Sequence, residues 1–282
     1  MTDLHGKTFV VTGANTGLGR ASVEALAAEG AGHVVLAARS RNKTEPVIEA
    51  VRAQYPDTEL SYVAIDLGDL GSVSKAADTL LERDAPIDVL MANAGVAGLR
   101  GLTKDGFELT FGVNHLGHFL LTEKLLPLVE RAPQGRIVNV SSRGHYQADG
   151  IDWDALRRPT ATFTALPEYA VSKLCNVLYA KELARRLRDT AVTTYSLHPG
   201  GVASDIWQRR LGPLAVLLKP FLITNEQGAR TQVRCAIDPA VSGESGLYYT
   251  DEEPRDPLPL ACDEGLQDEL VDRSRGWTSD WL

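Results

Sequence analysis

The sequence predicts an α/β fold in which helices cover both faces of a doubly wound parallel sheet of about seven strands. Short β-branched runs alternate with longer segments of helical periodicity along most of the chain. No internal repeat and no low-complexity linker interrupts this alternation, so we expect one domain spanning residues 1–282. Right-handed crossovers between parallel strands make a doubly wound sheet the simplest topology.

Apolar runs bounded by Gly, Asp or Asn are typical of buried strands. The predicted strands are Thr8–Thr12, His33–Ala38, Leu60–Ile65, Ile87–Ala92, Arg136–Val140 and Val192–Leu197. The segments between them have the apolar spacing of helices. The predicted helices are Gly19–Glu29, Lys43–Gln54, Gly71–Glu82, Phe107–Val129 and Ala170–Arg188. Prolines, charged residues and tryptophans cluster in the remaining segments. These clusters predict loops at Gln147–Pro167, at Ser204–Asn225 and from Asp251 onward.

Composition narrows the class of protein. The chain has 282 residues, 44% of them hydrophobic, and its 29 Lys and Arg against 37 Asp and Glu give a net charge of −8. That apolar content suffices for a core and excludes a disordered or collagen-like chain. The acidic balance disfavours nucleic-acid binding, which depends on Lys and Arg neutralising phosphates. We therefore expect a small-molecule partner.

The cysteines and the apolar segments predict a cytoplasmic protein without a membrane span. Cys175, Cys235 and Cys262 cannot form a paired framework, and none stands in a C-x-x-C spacing. The first residues lack the charged and apolar regions of a signal peptide. The most apolar later stretch, Leu211–Ile223, is interrupted by Lys219 and by two prolines and is too short to span a bilayer.

A glycine-rich turn joins the first predicted strand to the first helix. In this turn, Thr12–Gly19 (TGANTGLG), Gly13, Gly17 and Gly19 allow a close backbone approach. The free N–H groups of the helix can then face a pyrophosphate. The spacing alone also fits a purely structural turn, but Asp66-Leu67 and Asn93-Ala94-Gly95 end two further strands, where they could meet the adenine and the ribose of a dinucleotide.

Tyr169 and Lys173 stand four residues apart in a predicted helix, so both side chains share one face. A free tyrosine has a pKa of about 10, which is too high for a good proton carrier at neutral pH. A nearby ammonium stabilises the phenolate, which predicts a lowered pKa for Tyr169. An isolated pair with this spacing is common on helix surfaces, so the interpretation depends on the other motifs.

Together these motifs resemble the short-chain dehydrogenase/reductase family, which has a Rossmann-type sheet. In family order they are Thr12–Gly19, Asn93-Ala94-Gly95, Ser141-Ser142, Tyr169-x-x-x-Lys173 and His198-Pro199-Gly200. Further segments resemble the retinol-dehydrogenase-like branch of that family. These segments are Val113–Thr122, Ser172–Leu178, Glu182–Leu187 and Asn225–Ala229.

The resemblance implies roles for individual residues. Ser142 matches the catalytic serine that hydrogen-bonds the substrate oxygen, and Asn114 matches the asparagine that helps to hold a water for proton relay. Lys173 would also bind the nicotinamide ribose, and Ser204 stands where a threonine usually meets the carboxamide. The implied cofactor-binding residues are Gly13, Asn15, Thr16, Gly17, Leu18, Gly19, Arg39, Asp66, Leu67, Asn93, Ala94, Gly95, Tyr169, Lys173, Pro199, Gly200, Val202 and Ser204.

NADP(H) is favoured over NAD(H). Members of the family that use NAD usually carry an acid at the end of the second strand, where this chain has Ala38 followed by Arg39 and then Arg41. An arginine can hold a 2′-phosphate through a bidentate fork. The alternative is that both arginines are solvated loop charges.

The implied reaction is hydride transfer between the nicotinamide and a carbonyl carbon, with Tyr169 as proton donor or acceptor. The apolar segment 204–225 would cover the substrate, which indicates a hydrophobic ketone, aldehyde or alcohol. Two alternatives stay open. One is a ketoreductase that tailors a secondary metabolite, and the other is a protein that senses the cofactor without turnover.

An insertion at residues 144–167 separates Ser142 from Tyr169, and the resemblance then implies a monomer or homodimer rather than a tetramer. His115 and His118 lie three residues apart, but no third ligand follows at helical spacing, so we expect no metal site. His198 is expected to be positional, and nothing requires His145 for catalysis.

Overall fold

The computed structural model describes residues 3–201 and 223–282. Within these residues, eight strands form one sheet in the order β3-β2-β1-β4-β5-β6-β7-β8. The strands are β1 (Thr8–Thr12), β2 (His33–Ala38), β3 (Glu59–Ala64), β4 (Val89–Ala92), β5 (Arg136–Val140), β6 (Thr193–His198), β7 (Leu247–Thr250) and β8 (Glu253–Arg255). Strands β1 to β7 pair in parallel, and β8 is antiparallel to β7. The predicted doubly wound parallel sheet is confirmed, with one short antiparallel strand added at its edge.

Helices cover both faces of this sheet. They are α1 (Gly17–Ala28), α2 (Arg41–Gln54), α3 (Leu70–Leu81), α4 (Leu109–Phe111), α5 (Gly117–Glu130), α6 (Leu166–Arg186), α7 (Asn225–Ile237) and α8 (Glu264–Thr278). Successive strand residues point to opposite faces. Val34 and Met91 accordingly join the apolar cluster beneath α1, α2 and α7. Their neighbours Val35 and Leu90 join the cluster beneath α3, α5, α6 and α8.

The predicted helix Phe107–Val129 is not continuous. Between α4 and α5 the chain forms a π-helical turn at Gly112–Leu116. A Cβ on Gly117, directly after this turn, would lie only 2.5 Å from the carbonyl oxygen of Leu67. Glycine therefore lets α5 begin against the loop that follows β3. Single π-helical turns inside α-helices are frequent at functional sites, and this one carries Asn114.

The prediction of a loop from Asp251 onward is wrong, because this region contains β8 and the 15-residue helix α8. Polar residues occupy much of the buried face of α8, so its hydrophobic periodicity is weak. They pair locally: Gln267 Nε2 donates to the Ala261 carbonyl oxygen at 3.0 Å, and Thr278 Oγ1 donates to the carbonyl oxygen of Ser274 at 2.8 Å.

The carboxyl ends of β1, β4, β5 and β6 are neighbours at one edge of the sheet. The strand order reverses between β1 and β4, and ligands of doubly wound sheets bind where the loops diverge at such a reversal. This edge is therefore where the predicted site residues should meet. Among the described residues, none of the helices has the length and hydropathy needed to cross a lipid bilayer.

Candidate active site

The glycine-rich turn connects β1 to α1 at this edge. A Cβ on Gly19 would lie 2.3 Å from the Gly13 carbonyl oxygen and 2.6 Å from Nδ2 of Asn93, so only glycine fits there. Thr16 precedes α1 in extended conformation, and its side chain makes no capping hydrogen bond. The Thr16 side chain therefore accepts no hydrogen bond from the first backbone N–H groups of α1. This end of α1 is suited to the pyrophosphate of a dinucleotide.

Thr12 joins the glycine-rich turn to the segment that follows β4. Its Oγ1 accepts hydrogen bonds from the backbone N–H of Asn93 at 2.9 Å and of Ala94 at 3.0 Å. Asn93 Nδ2 donates to the Thr12 carbonyl oxygen at 2.8 Å, and Asn93 Oδ1 accepts from Gln232 Nε2 on α7 at 3.2 Å. Since the Asn93 side chain is engaged within the protein, the segment presents its backbone and Gly95 to the exterior.

Asn114 lies on the π-helical turn and is fully buried. Its Oδ1 accepts from the backbone N–H of Val96 at 2.7 Å, and its Nδ2 donates to the Val96 carbonyl oxygen at 2.9 Å. The same Nδ2 also donates to Ser172 Oγ on α6 at 3.0 Å. Asn114 therefore connects the segment after β4 with the helix that carries Tyr169 and Lys173.

Lys173 is buried, with 4% of its surface exposed. Its Nζ donates a hydrogen bond to the carbonyl oxygen of Val140, the last residue of β5, at 2.8 Å. Burial lowers the pKa of Lys173 from 10.5 to about 7. The amine therefore stands at the carboxyl end of β5 with a pKa close to neutral pH.

Tyr169 lies one helical turn before Lys173, whose Nζ is 5.8 Å from the centre of the tyrosine ring. Burial raises the pKa of Tyr169, and a hydrogen bond with Ser142 opposes that shift. The net direction is opposite to the lowering that the sequence predicted from the charge of Lys173. The difference arises because desolvation of the phenolate, which the sequence does not report, dominates here.

The two serines after β5 have separate contacts. Ser141 Oγ donates to the Lys173 carbonyl oxygen at 2.7 Å, which attaches α6 to the end of β5. Ser142 Oγ accepts from the backbone N–H of Gly144 at 3.0 Å, and a Cβ on Gly144 would lie 3.1 Å from Cε1 of Tyr169. The chain after Ser142 thus passes directly beside the tyrosine ring, and Ser142 and Tyr169 face the same space.

His145 has a structural contact on each ring nitrogen. Its Nδ1 lies 2.7 Å from the Ser142 carbonyl oxygen, and its Nε2 accepts from the backbone N–H of Leu258 at 3.1 Å. Burial lowers the pKa of His145, so the neutral ring is favoured. These contacts hold the Ser142 segment against the chain that precedes α8.

The ends of β2 and β3 present the predicted adenosine-binding residues. Arg39 is exposed and makes no hydrogen bond or ion pair with residues 3–201 or 223–282. The guanidinium carbon of Arg41 lies 5.3 Å from the centre of the Tyr62 ring, and the hydroxyl of Tyr62 donates to the Ala38 carbonyl oxygen at 3.0 Å. Asp66 is exposed as well. Tyr62 could not be found from the sequence, because its position beside Ala38 depends on the pairing of β2 with β3.

The insertion at residues 144–167 packs against the rest of the domain. Glu108 is a buried carboxylate whose Oε1 accepts from Thr160 Oγ1 and whose Oε2 accepts from the backbone N–H of Phe111 at 2.9 Å. The rings of Trp153 and Trp277 lie 6.4 Å apart. The insertion therefore lies between the π-helical turn region and α8.

The described residues bring most of the predicted site together. The members at the edge of the sheet are Gly13, Asn15, Thr16, Gly17, Leu18, Gly19, Arg39, Asp66, Leu67, Asn93, Ala94, Gly95, Asn114, Ser142, Tyr169, Lys173, Pro199 and Gly200. Val202, Ser204 and the predicted substrate-covering segment up to residue 222 lie outside the described residues. Gly95 shows how tight the centre is, since a Cβ there would lie 3.3 Å from Asn114 Oδ1 and 3.5 Å from Lys173 Nζ.

Comparisons with known proteins show which family this chain is similar to. The profile of the short chain dehydrogenase family matches residues 7–151. The chain is 38% identical to dehydrogenase/reductase SDR family member 13 of Bos taurus over 98% of its own length and 74% of that protein. It is 38% identical to human retinol dehydrogenase 14 over 96% of its length and 86% of that protein. A crystal structure of an uncharacterized protein from Mycobacterium paratuberculosis superposes with a TM-score of 0.79 at 30% identity, covering 99% of this chain and 96% of that one.

Fold, site and relatives together define an NAD(P)-dependent oxidoreductase that interconverts an alcohol with its carbonyl compound. The chain belongs to the short-chain dehydrogenase/reductase family, in its retinol-dehydrogenase-like branch. The resemblance seen in the sequence is thereby confirmed.

Proposed function

We propose that this protein uses NADP(H) to interconvert a hydrophobic ketone or aldehyde with its alcohol, with Tyr169 as the proton donor and acceptor. The observation that carries the proposal is the convergence of Ser142, Tyr169 and Lys173 at the carboxyl end of β5. The glycine-rich turn lies at the same edge of the sheet. A substrate oxygen beside Ser142 and Tyr169 would therefore stand next to a dinucleotide bound at α1.

Each side chain has a distinct task in this proposal. The nicotinamide, when bound, supplies or accepts the hydride. Ser142 donates a hydrogen bond to the substrate oxygen, which stabilises the negative charge that develops there during reduction. Tyr169 transfers its proton to that oxygen. Because burial raises the pKa of Tyr169, the phenol is protonated at neutral pH, as a proton donor in carbonyl reduction must be.

Lys173 and Asn114 act behind the tyrosine. The Lys173 amine would bind the nicotinamide ribose, and its pKa of about 7 allows it to carry or release a proton near neutral pH. Asn114 would hold the water that returns a proton to Lys173. The hydrogen bonds of its side chain to Val96 and Ser172 keep the asparagine in place for that task.

The preference for NADP(H) is supported by the end of β2. A 2′-phosphate at this position would meet the exposed guanidinium of Arg39 and that of Arg41 over Tyr62, with no carboxylate at Ala38 to repel it. Two arginines can replace the water and counterions that a dianionic phosphate loses on binding.

Arg39→Asp is expected to raise the KM for NADPH by roughly 10- to 100-fold, which corresponds to the loss of a charged hydrogen bond. The KM for NADH should change by less than about threefold, since NADH lacks the 2′-phosphate. Initial-rate kinetics with both cofactors measure this difference. Arg52→Asp, the same change at an exposed position in the last turn of α2, serves as the control. An equal effect of Arg39→Asp on both cofactors would contradict the assignment.

A hydrophobic substrate is supported by the apolar residues of segment 204–225 and by the names of the relatives, several of which are called retinol dehydrogenases. The test is the absorbance of reduced nicotinamide during turnover of a homologous series of straight-chain aldehydes and ketones. We expect kcat/KM to rise by up to about fourfold for each added methylene until the pocket is filled.

Each result of that assay discriminates between functions. A kcat/KM that does not depend on chain length would overturn the hydrophobic substrate. Turnover confined to bulky cyclic ketones would favour a ketoreductase of secondary metabolism. Tight NADPH binding without turnover of any compound would favour a cofactor-sensing protein.

A further inference from the structure

His118 is a buried histidine, 3% exposed, at the second position of α5. Its two ring nitrogens contact two different parts of the site. Nδ1 lies 3.0 Å from the carbonyl oxygen of Asn114, and Nε2 lies 2.8 Å from Oγ1 of Thr12. Thr12 and His118 are 106 residues apart in the chain. The imidazole thus bridges the end of β1 and the π-helical turn.

The partners determine which nitrogen carries the proton. A carbonyl oxygen can only accept a hydrogen bond, so Nδ1 must be the protonated nitrogen. Thr12 Oγ1 already accepts from the backbone N–H groups of Asn93 and Ala94, so its own proton must be donated outward. In a neutral ring with hydrogen on Nδ1, Nε2 is a free acceptor and receives that proton. The hydrogen bonds at both ends are therefore satisfied by one tautomer.

The surroundings favour the neutral ring that this arrangement requires. Burial, opposed by the hydrogen bond with Asn114 and assisted by the nearby charge of Lys173, lowers the pKa of His118 to about 4. At neutral pH the imidazole is therefore uncharged.

We propose that His118 is a positioning residue for the reaction, which holds the Asn114 carbonyl oxygen in place and connects it through Thr12 to the cofactor-binding turn. The inference rests on the proposed function in one respect, namely that Asn114 takes part in the proton relay. Thr12 and His118 belong to two of the motifs seen in the sequence, Thr12–Gly19 and Val113–Thr122, and the contact between them adds a link between the cofactor-binding edge and the relay.

The two hydrogen bonds of His118 are not equally replaceable. If Nε2 is lost, the Thr12 hydroxyl can donate to the Met91 carbonyl oxygen, which lies 3.3 Å away. The Nδ1–H of His118 is the only side-chain donor to the Asn114 carbonyl oxygen among residues 3–201 and 223–282. Loss of the Asn114 contact should therefore have the larger effect on catalysis.

Three substitutions separate the contacts. His118→Asn keeps a donor at the place of Nδ1, His118→Gln keeps an acceptor at the place of Nε2, and His118→Phe keeps an aromatic ring while removing both. We expect His118→Phe and His118→Gln to lower kcat by on the order of 100-fold, as a small misplacement of a catalytic group can do. His118→Asn should keep most of the wild-type kcat, because it keeps the donor to the Asn114 carbonyl oxygen. The dissociation constant of NADPH should change by less than about threefold in all three, because the phosphate-binding amides belong to α1.

A second measurement does not depend on turnover. In a sample with ¹⁵N-labelled histidine, the signals of the His118 ring, identified by their absence in His118→Asn, should report a proton on Nδ1 and none on Nε2 at pH 7. Thr12→Val should shift the Nε2 signal and leave Nδ1 protonated. Thermal melting of each variant shows whether it is folded.

Specific outcomes would overturn the inference. The first is a proton on Nε2 in the wild-type protein. The second is a folded His118→Phe variant whose kcat equals that of the wild type. The third is a His118→Asn variant whose kcat is as low as that of His118→Phe. Failure of the proposed function would look different, because Tyr169→Phe would then keep normal turnover while the histidine signals still showed the bridge.

Discussion

Tyr169→Phe is expected to lower kcat by about 10³-fold or more, because a positioned general acid contributes on the order of 10²- to 10⁴-fold and the Tyr169 phenol is hydrogen-bonded to Ser142. The substitution removes one hydroxyl group and keeps the ring. The dissociation constant of NADPH should therefore change little. Stopped-flow single turnover with a saturating aldehyde separates the chemical step from product release.

Tyr146→Phe is the matched control. It removes the same hydroxyl group from a residue 43% exposed, whose Oη donates to the Asp256 carbonyl oxygen away from the reacting atoms. Its kcat should stay within about twofold of the wild type, as expected for a surface substitution. Equal kcat values for Tyr169→Phe and the wild type would remove the tyrosine from the mechanism.

Gly19→Ala is expected to have the second largest effect. The added Cβ would stand 2.3 Å from the Gly13 carbonyl oxygen, a backbone atom that moves only together with the glycine-rich turn. We expect a loss of about 2–3 kcal/mol in the free energy of unfolding, as for other overpacked positions. The dissociation constant of NADPH should rise by about tenfold or more, since the displaced turn loses at least one hydrogen bond to phosphate.

Gly276→Ala is the matched control, because it adds the same Cβ at a position where there is space for it. Gly276 lies within α8, and a Cβ there would meet no atom within 4 Å. Alanine is favoured over glycine inside helices by about 1 kcal/mol, so this variant should be more stable than the wild type. Urea denaturation of both variants, with NADPH titration by fluorescence, measures the contrast. A Gly19→Ala variant with the stability and the NADPH affinity of the wild type would disprove the close approach of residue 19 to the Gly13 carbonyl oxygen.

The sequence predicted the parts of the fold that follow from local pattern. The first strand, the second strand and the fifth strand begin and end at the predicted residues, because β-branched runs between Gly, Asp and Asn define them. The break in the predicted helix Phe107–Val129 could not be seen, since it depends on contacts such as that of Gly117 with Leu67. Helix α8 was missed because its buried face carries Gln267, Ser274 and Thr278.

For the site as well, local pattern predicted some features, and features that depend on tertiary contacts were missed. Spacing placed Tyr169 and Lys173 on one face of α6, and the family resemblance named Ser142, which is hydrogen-bonded to Tyr169. The predicted lowering of the Tyr169 pKa is wrong in direction, because the shift depends on how far the fold removes the phenol from water. The bridge through His118 joins residues more than a hundred positions apart, and no local pattern encodes such a contact. NADP(H) specificity, the substrate and the cytoplasmic location stay predictions.

Helix α8 also bears on the order in which the protein can complete its core during synthesis. The apolar cluster beneath α1, α2 and α7 has all its buried members by Tyr249. The cluster on the opposite face still lacks Leu270 and Val271 at that point, together with Trp277 and Trp281, which pack against it. One face of the sheet can therefore close on the ribosome while the other, which holds the tyrosine-bearing helix, waits for the chain to emerge. The cluster that supports the tyrosine-bearing helix should accordingly be completed only after α8 has been synthesised.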